Sequence, residues 1–211
     1  MRILLTNDDG INAPGLSVLE DIAKELSDDI WIAAPEEEQS GKGRAISLTQ
    51  PVRTRKVGAK AWAIAGTPSD CVQLGIPSIA LSQAQSFRER GSLPWETARA
   101  WGAKTLRPLI KQGWPSDVVI NVNFPDREPD EVAGIQITRQ GFRDESIIHT
   151  DRREDLRGND YYWIGYKGKL SKPDAGTDLR AIYDGYVSVS PLHVDLTHEA
   201  YLKELRETWP T

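Results

Sequence analysis

Residues 1–35 read MRILLTNDDGINAPGLSVLEDIAKELSDDIWIAAP, and this stretch decides the fold. Arg2-Ile3-Leu4-Leu5-Thr6 is a short apolar run closed by Asn7-Asp8-Asp9-Gly10, the pattern of a buried strand that ends in a turn. A helix is expected next. Asn12 is placed to cap it, Pro14 sits near its first turn, and Leu16, Leu19, Ile22, Ala23 and Leu26 recur at helical spacing. Residues 30–34 form a second apolar run, stopped by Pro35. Strand, helix and strand make a βαβ unit, whose crossover is right-handed and whose strands are parallel.

Working outward, residues 52–57 and 61–65 are extended stretches on either side of Gly58, which predicts a hairpin. Thr67-Pro68-Ser69-Asp70 then offers a capping hydroxyl, a proline and an acid, the start of a helix. Only Cys71-Val72-Gln73-Leu74 follow before Gly75-Ile76-Pro77, and residues 76–81 already read as a buried strand. A parallel crossover needs a dozen or more residues, so the junction between Gln73 and Leu74 is too short. A strand-plus-helix segment of roughly 30–40 residues would repair the pattern, whether it is a mobile stretch left out of the chain or a deletion.

Residues 95–110 predict a helix with Trp95, Ala98, Trp101, Leu106 and Leu109 on its apolar face, and residues 117–123 predict a strand. Short strands are expected at 135–138, 161–164 and 186–190, a polar exposed connection at 150–160, and a terminal helix at 197–208. The fold class is α/β: a mostly parallel sheet flanked by helices over residues 1–125, with a β-rich C-terminal extension at 126–211. Residues 186–192 and the helix after them have no obvious place in a doubly wound core, so they are expected to pair with a second subunit.

With 211 residues the chain suits one large domain. Its net charge of −5 and pI near 5.3 are no footprint for duplex nucleic acid. No apolar run approaches a membrane span, and the start of the chain does not read as a signal peptide. The single cysteine, Cys71, cannot form an internal disulfide, which points to reducing cytoplasm.

In open α/β sheets ligands bind beyond the carboxyl ends of the strands. Asp8 and Asp9 fall there, just after the first strand. Two adjacent acids repel each other and invite a hard divalent cation, Mg²⁺, Mn²⁺ or Ca²⁺, although a plain polar turn is the competing reading. Both can face one ion only where the strand has ended, since neighbours on a strand point apart. The second strand ends in Glu36-Glu37-Glu38-Gln39-Ser40-Gly41-Lys42-Gly43-Arg44, where Ser40 offers a hydroxyl and Gly41 and Gly43 permit an anion-binding nest, or else form an exposed loop. The three acids read as a solvated turn. His149, His193 and His198 lack paired metal-ligand spacing.

Taken in order, MRILLTNDDGINAPG at 1–15, APEEEQSG at 34–41, GTPSDCV at 66–72, LGIPSIALS at 74–82, NVNFPD at 121–126 and YVSVSPLHVDLT at 186–197 resemble the SurE family of stationary-phase survival proteins. The resemblance implies a phosphohydrolase of nucleoside 5′- and 3′-monophosphates that uses one divalent metal ion. It also implies a Rossmann-like core and a C-terminal region exchanged in a homodimer or homotetramer. By that resemblance Asp8, Asp9 and Ser40 correspond to metal ligands, Asp8 or Asp9 also orients water, and Asn12 and Gly41 lie on phosphate-side loops. The fourth family ligand, an asparagine, belongs to a segment absent between Gln73 and Leu74. A nucleotide-binding module without catalysis, or an oligomeric scaffold, are the rival readings.

Overall fold

The computed structural model describes residues 1–42, 51–67, 77–85, 93–115, 117–143, 148–166, 171–193, 195 and 197–209. The Gln73–Leu74 junction, Cys71, and the helix expected from Thr67 onward lie outside the described residues beyond Thr67 itself. In the sequence Gln73 and Leu74 are consecutive.

The first four-stranded sheet holds β1 (Arg2–Leu5), β2 (Asp29–Pro35), β3 (Arg53–Gly58) and β4 (Ala61–Ala65) in the order β1-β2-β4-β3. β1 and β2 are parallel, joined by helix α1 (Pro14–Lys24), which is the expected βαβ unit. β3 and β4 are the antiparallel hairpin, with a bulge between Lys56 and Gly58.

The second sheet contains β5 (Ile79–Gln83), β6 (Val118–Phe124), β7 (Gly134–Ile137) and β10 (Tyr186–His193), ordered β5-β6-β10-β7. Helix α2 (Trp95–Gln112) connects β5 to β6, which pair in parallel. β5 is half-buried at best rather than buried; among the described residues it ends its sheet.

Two expectations for the second half are corrected. β10 does not wait for a partner subunit; it lies between β6 and β7 of its own chain. Val187 and Val189 enter the core, while Ser188 and Ser190, on the opposite face, are fully buried against Thr138, whose hydroxyl reaches them at 3.0 and 2.7 Å. Sequence patterning hid this because the Val-Ser alternation of residues 187–190 is that of a strand with one face in water, whereas here the serine face is buried too. Nor is the 150–160 stretch a mere connection. Arg152 pairs with Asp160 across a two-stranded ribbon, β8 (Ile148–Glu154) with β9 (Asp160–Tyr166), and the Asp155 carboxylate accepts from the amides of Arg157 and Asn159 to close the turn. The short helix α3 (Asp178–Tyr183), capped by Thr177, was not anticipated. The terminal helix α4 (Glu199–Thr208) was, and His198 caps it by accepting from the Tyr201 amide.

Two apolar clusters form the core. One joins Leu16 and Ala23 of α1 to Leu5 and Ala34 of the first sheet. The other joins Val18 and Ile22 of α1 to Ala98 and Leu106 of α2 and to Ile120, Val122, Phe124, Val187 and Val189 of the second sheet. The five residues singled out on α2 by spacing all belong to this second cluster.

At the α1–α2 contact Gly102 allows close approach: a Cβ there would stand 2.6 Å from Cδ1 of Ile22 and 2.9 Å from Cγ2. Alanine ordinarily gains about 1 kcal/mol over glycine inside a helix. Here the β-branched neighbour is stiff and buried, so overpacking should win. Gly102→Ala is expected to destabilise by about 1–3 kcal/mol, lowering Tm by roughly 2–4 °C per kcal/mol. In a double-mutant cycle with Ile22→Ala the combined loss should fall short of the sum, as read by denaturant unfolding.

Candidate active site

The loops that leave β1 and β2 emerge on one edge of the first sheet and are stitched together by main-chain bonds. Gln39 donates its amide to the Asp8 carbonyl at 2.7 Å, and Ile11 donates to the Pro35 carbonyl at 2.8 Å. Within the first loop the Asn7 side-chain amide holds the Gly10 carbonyl at 2.9 Å. Gly10 takes φ +98°, a conformation that L side chains rarely adopt, with its Cβ position 3.4 Å from the Glu37 backbone. The sequence Asn7-Asp8-Asp9-Gly10 is therefore a specific turn pressed against the second loop.

That turn places both acids beyond the strand. β1 ends at Leu5, and Asp8 and Asp9 project as exposed side chains. The carboxyl of Asp9 is pushed above the ordinary aspartate range, first by burial of part of its surface, then by the charges of Asp8 and Glu38. An acid surrounded by acids is a site that a cation would relieve.

Two cavities meet at Asp9. One, of about 710 Å³, is bounded by Asp9, Gly10, Asn12, Glu37, Glu38, the first residues of α1 and the Trp95 ring. The other, of about 630 Å³, takes in Asp8, Asp9 and Gln39 and runs on beneath β5. Trp95 walls both, its ring against Gly15.

Asn12 does not cap α1. The cap position is Ala13, which has no side-chain acceptor, because Pro14 begins the helix one residue later than Asn12 would require. The first turn of α1 therefore meets the cavity without a side-chain cap, and helix N-termini of this kind attract anions. Asn12 is left free to face the cavity, as a ligand-binding role needs. Ser40 and Gly41 are exposed, one and two residues past Gln39, and line neither cavity; Gly41 adopts φ +84°. Gly43 and Arg44 lie outside the described residues.

Glu36, Glu37 and Glu38, read as a solvated turn, are indeed exposed, and all three also border the cavity beside Asp9. Glu36 pairs with Arg55 at 2.6 Å. Trp95 was assigned only to a helix face. Its position at the first residue of α2, where a helix end meets a strand-end crevice, is the signal that could have found it.

The family model for survival protein SurE matches residues 3–76 and 74–146 of the chain. The 5′-nucleotidase SurE of Hyphomonas neptunium is 70% identical over 251 aligned residues, covering 99% of this chain and 99% of that protein. The 5′-nucleotidase SurE of Caulobacter vibrioides is 46% identical over 250, covering 98% and 95%. The crystal structure of a SurE protein from Aquifex aeolicus superposes with a TM-score of 0.81 at 28% identity, covering 99% of each chain. An alignment of 251 positions exceeds the 211 residues present here, so the Hyphomonas protein carries residues without a counterpart. The two matched stretches of the family model meet at residues 74–76. This chain belongs to the SurE family of survival proteins.

Proposed function

We propose that the chain hydrolyses phosphate monoesters of nucleosides, at the 5′ and the 3′ position, with a divalent metal ion held at the end of β1. The observation that carries this reading is the pair Asp8 and Asp9, past the strand end, facing cavities that open at the uncapped N-terminus of α1. Names given to relatives at 46–70% identity support the nucleoside 5′-monophosphate as substrate class.

The donors on this edge fit such an ion. They are all oxygens, from Asp8, Asp9 and Ser40, and the carboxyl of Asp9 is raised first by partial burial and then by the charges of Asp8 and Glu38, both of which a cation would offset. A bound cation of this kind lowers the pKa of a coordinated water and neutralises charge on the phosphoryl group. Asp8 and Asp9 would anchor it, and either can orient a water through its outer oxygen. Asn12 would donate its side-chain amide to a phosphate oxygen, with the main-chain amides at the start of α1 and near Gly41 doing the same. Trp95 offers the nucleobase a flat apolar wall. Glu37 and Glu38 repel a bare phosphate, so anion binding there depends on the cation.

Self-association belongs to the same reading. β8 and β9 pair with each other and expose Tyr162, Trp163 and Ile164 at 58–70% of their surface. An isolated ribbon is marginal in water, and a homodimer or homotetramer would cover the apolar side chains that it exposes on both faces.

Turnover of nucleoside 5′- and 3′-monophosphates should require Mg²⁺, Mn²⁺ or Ca²⁺, vanish with chelator and return with the ion. Asp8→Asn and Asp9→Asn should each cost on the order of 10² in kcat/KM or more. Metal-independent turnover would refute the assignment.

The charge on Asp9 sets a second expectation. Because its folded pKa is raised from 3.8, the stability it contributes is complete below that value and is lost as pH rises through the higher folded value. In chelator, Asp9→Asn should therefore match the parent Tm in acid and exceed it at neutral pH, by roughly a degree given the exposure of the site. Equal melting curves at both pH values would contradict the charge argument.

For assembly, Trp163→Glu should shift the sedimenting mass toward the monomer while leaving the far-UV dichroism of the fold unchanged. An unaltered mass would remove β8 and β9 from the interface.

A further inference from the structure

The cavity of about 710 Å³ beside Asp9 has the size of a small-molecule site, more than a phosphate group alone needs. Two of its walls differ in character. At one, the Trp95 ring lies against Gly15 at the start of α1; a Cβ there would stand 3.1 Å from the indole, so glycine is what admits the ring. The other is the loop after β2, whose main chain at Glu37 packs on Gly10, 3.4 Å from its Cβ position, and whose three acids border the cavity.

Those acids are not equivalent. Glu36 is neutralised by Arg55 at 2.6 Å. Glu38 stands close enough to Asp9 for its charge to act there, which assigns it to the end of the cavity that attracts a cation. Glu37 is exposed, and among the described residues its carboxylate has neither an ion pair nor a hydrogen bond. Both of its oxygens are open to donors from a ligand.

A carboxylate repels phosphate but matches a flat group that carries two adjacent N–H donors, and an aromatic wall in the same cavity favours a flat group too. Among the common nucleobases guanine alone sets two N–H groups side by side, at N1 and at the 2-amino group. Adenine and cytosine place a ring acceptor beside their amino group, and uracil flanks its one N–H with two carbonyls, so each turns a lone pair toward the carboxylate. We infer that Glu37 selects the nucleobase, accepting from N1–H and the 2-amino group of a guanine stacked on Trp95, so that guanosine monophosphates are the preferred substrates. The substrate class in this inference rests on the phosphohydrolase reading of the same site; the choice of base rests on Glu37 and Trp95.

The test is steady-state kinetics of the full chain with Mn²⁺ and the 5′-monophosphates of guanosine, inosine and uridine, inosine lacking only the 2-amino group. The guanosine ester should exceed either of the others at least about tenfold in kcat/KM, with the difference lying in KM. Glu37→Gln should erase most of that ratio and Glu38→Gln should keep it, while Trp95→Leu should raise KM for all three. Equal kcat/KM for the three esters would overturn the proposal, as would a ratio that survives Glu37→Gln or falls equally in Glu38→Gln. Weaker activation by Mn²⁺ in Glu37→Gln with the base ratio intact would overturn it too, by making Glu37 a cation ligand. Calorimetric titration with the nucleosides alone, in chelator, reads the base site without turnover: guanosine should bind more tightly than inosine, and Glu37→Gln should remove the difference. That result with no turnover of any ester would refute the phosphohydrolase and leave the base site standing. Turnover with no preference among bases would do the reverse.

Discussion

One helix carries the architecture. The first and second sheets share no strand pairing among the described residues, and α1 is the element whose side chains enter both apolar clusters. Leu16 and Ala23 face Leu5 and Ala34, whereas Val18 and Ile22 reach across to α2 and the β6–β10 face. A surface helix usually buries a single stripe. α1 buries a wider arc, and at its contact with Gly102 of α2 the buried Ile22 leaves no room for an added Cβ. Burial of four such side chains is worth roughly 1.5–3 kcal/mol each for the larger ones, enough to decide whether the halves stay docked.

The same helix fixes the chemistry. Its start is held by the turn at Gly10, whose carbonyl accepts from Asn7 and from Ala13, so the position of the acids and the position of the helix N-terminus are a single constraint. Bringing Asp8, Asp9, Glu37 and Glu38 to one edge opposes folding through like-charge repulsion, and the main-chain bonds between the two loops hold it in place. Strain of this sort persists where the surrounding structure over-determines it, and such places are usually functional.

The parts of the fold that were legible in the sequence are those with local causes. Helix spacing gave α1 and α2, apolar runs gave β1, β2 and β6, and turn residues around Gly58 gave the β3–β4 hairpin. Asp8 and Asp9 were legible because a strand end is written in the turn chemistry that follows it. What escaped depended on distant partners. Ser188 and Ser190 look like surface residues until Thr138, some fifty positions away, buries them. The 150–160 stretch is rich in Arg and Asp, and only cross-strand pairs such as Arg152 with Asp160 reveal β8 as the partner of the strand expected at 161–164. Asn12 looked like a cap because cap signals are local, while the actual start of α1 is set one residue on by Pro14.

The expectation at the Gln73–Leu74 junction had a different basis, a geometric rule rather than a statistical one: parallel strands of one sheet need a crossover. The junction lies outside the described residues, and β4 and β5 on either side of it belong to different sheets. β5 is apolar in composition, with Ile79 and Leu81 alternating against the core, yet none of its five residues is buried. Parallel strands are normally covered on both faces, and among the described residues β5 has a strand neighbour on one side only. The cavity along β5 and the acidic site share Asp8 and Asp9 as a common border. On the proposed reading, a ligand that fills this cavity would withdraw the two carboxylates from water and so strengthen their pull on a cation.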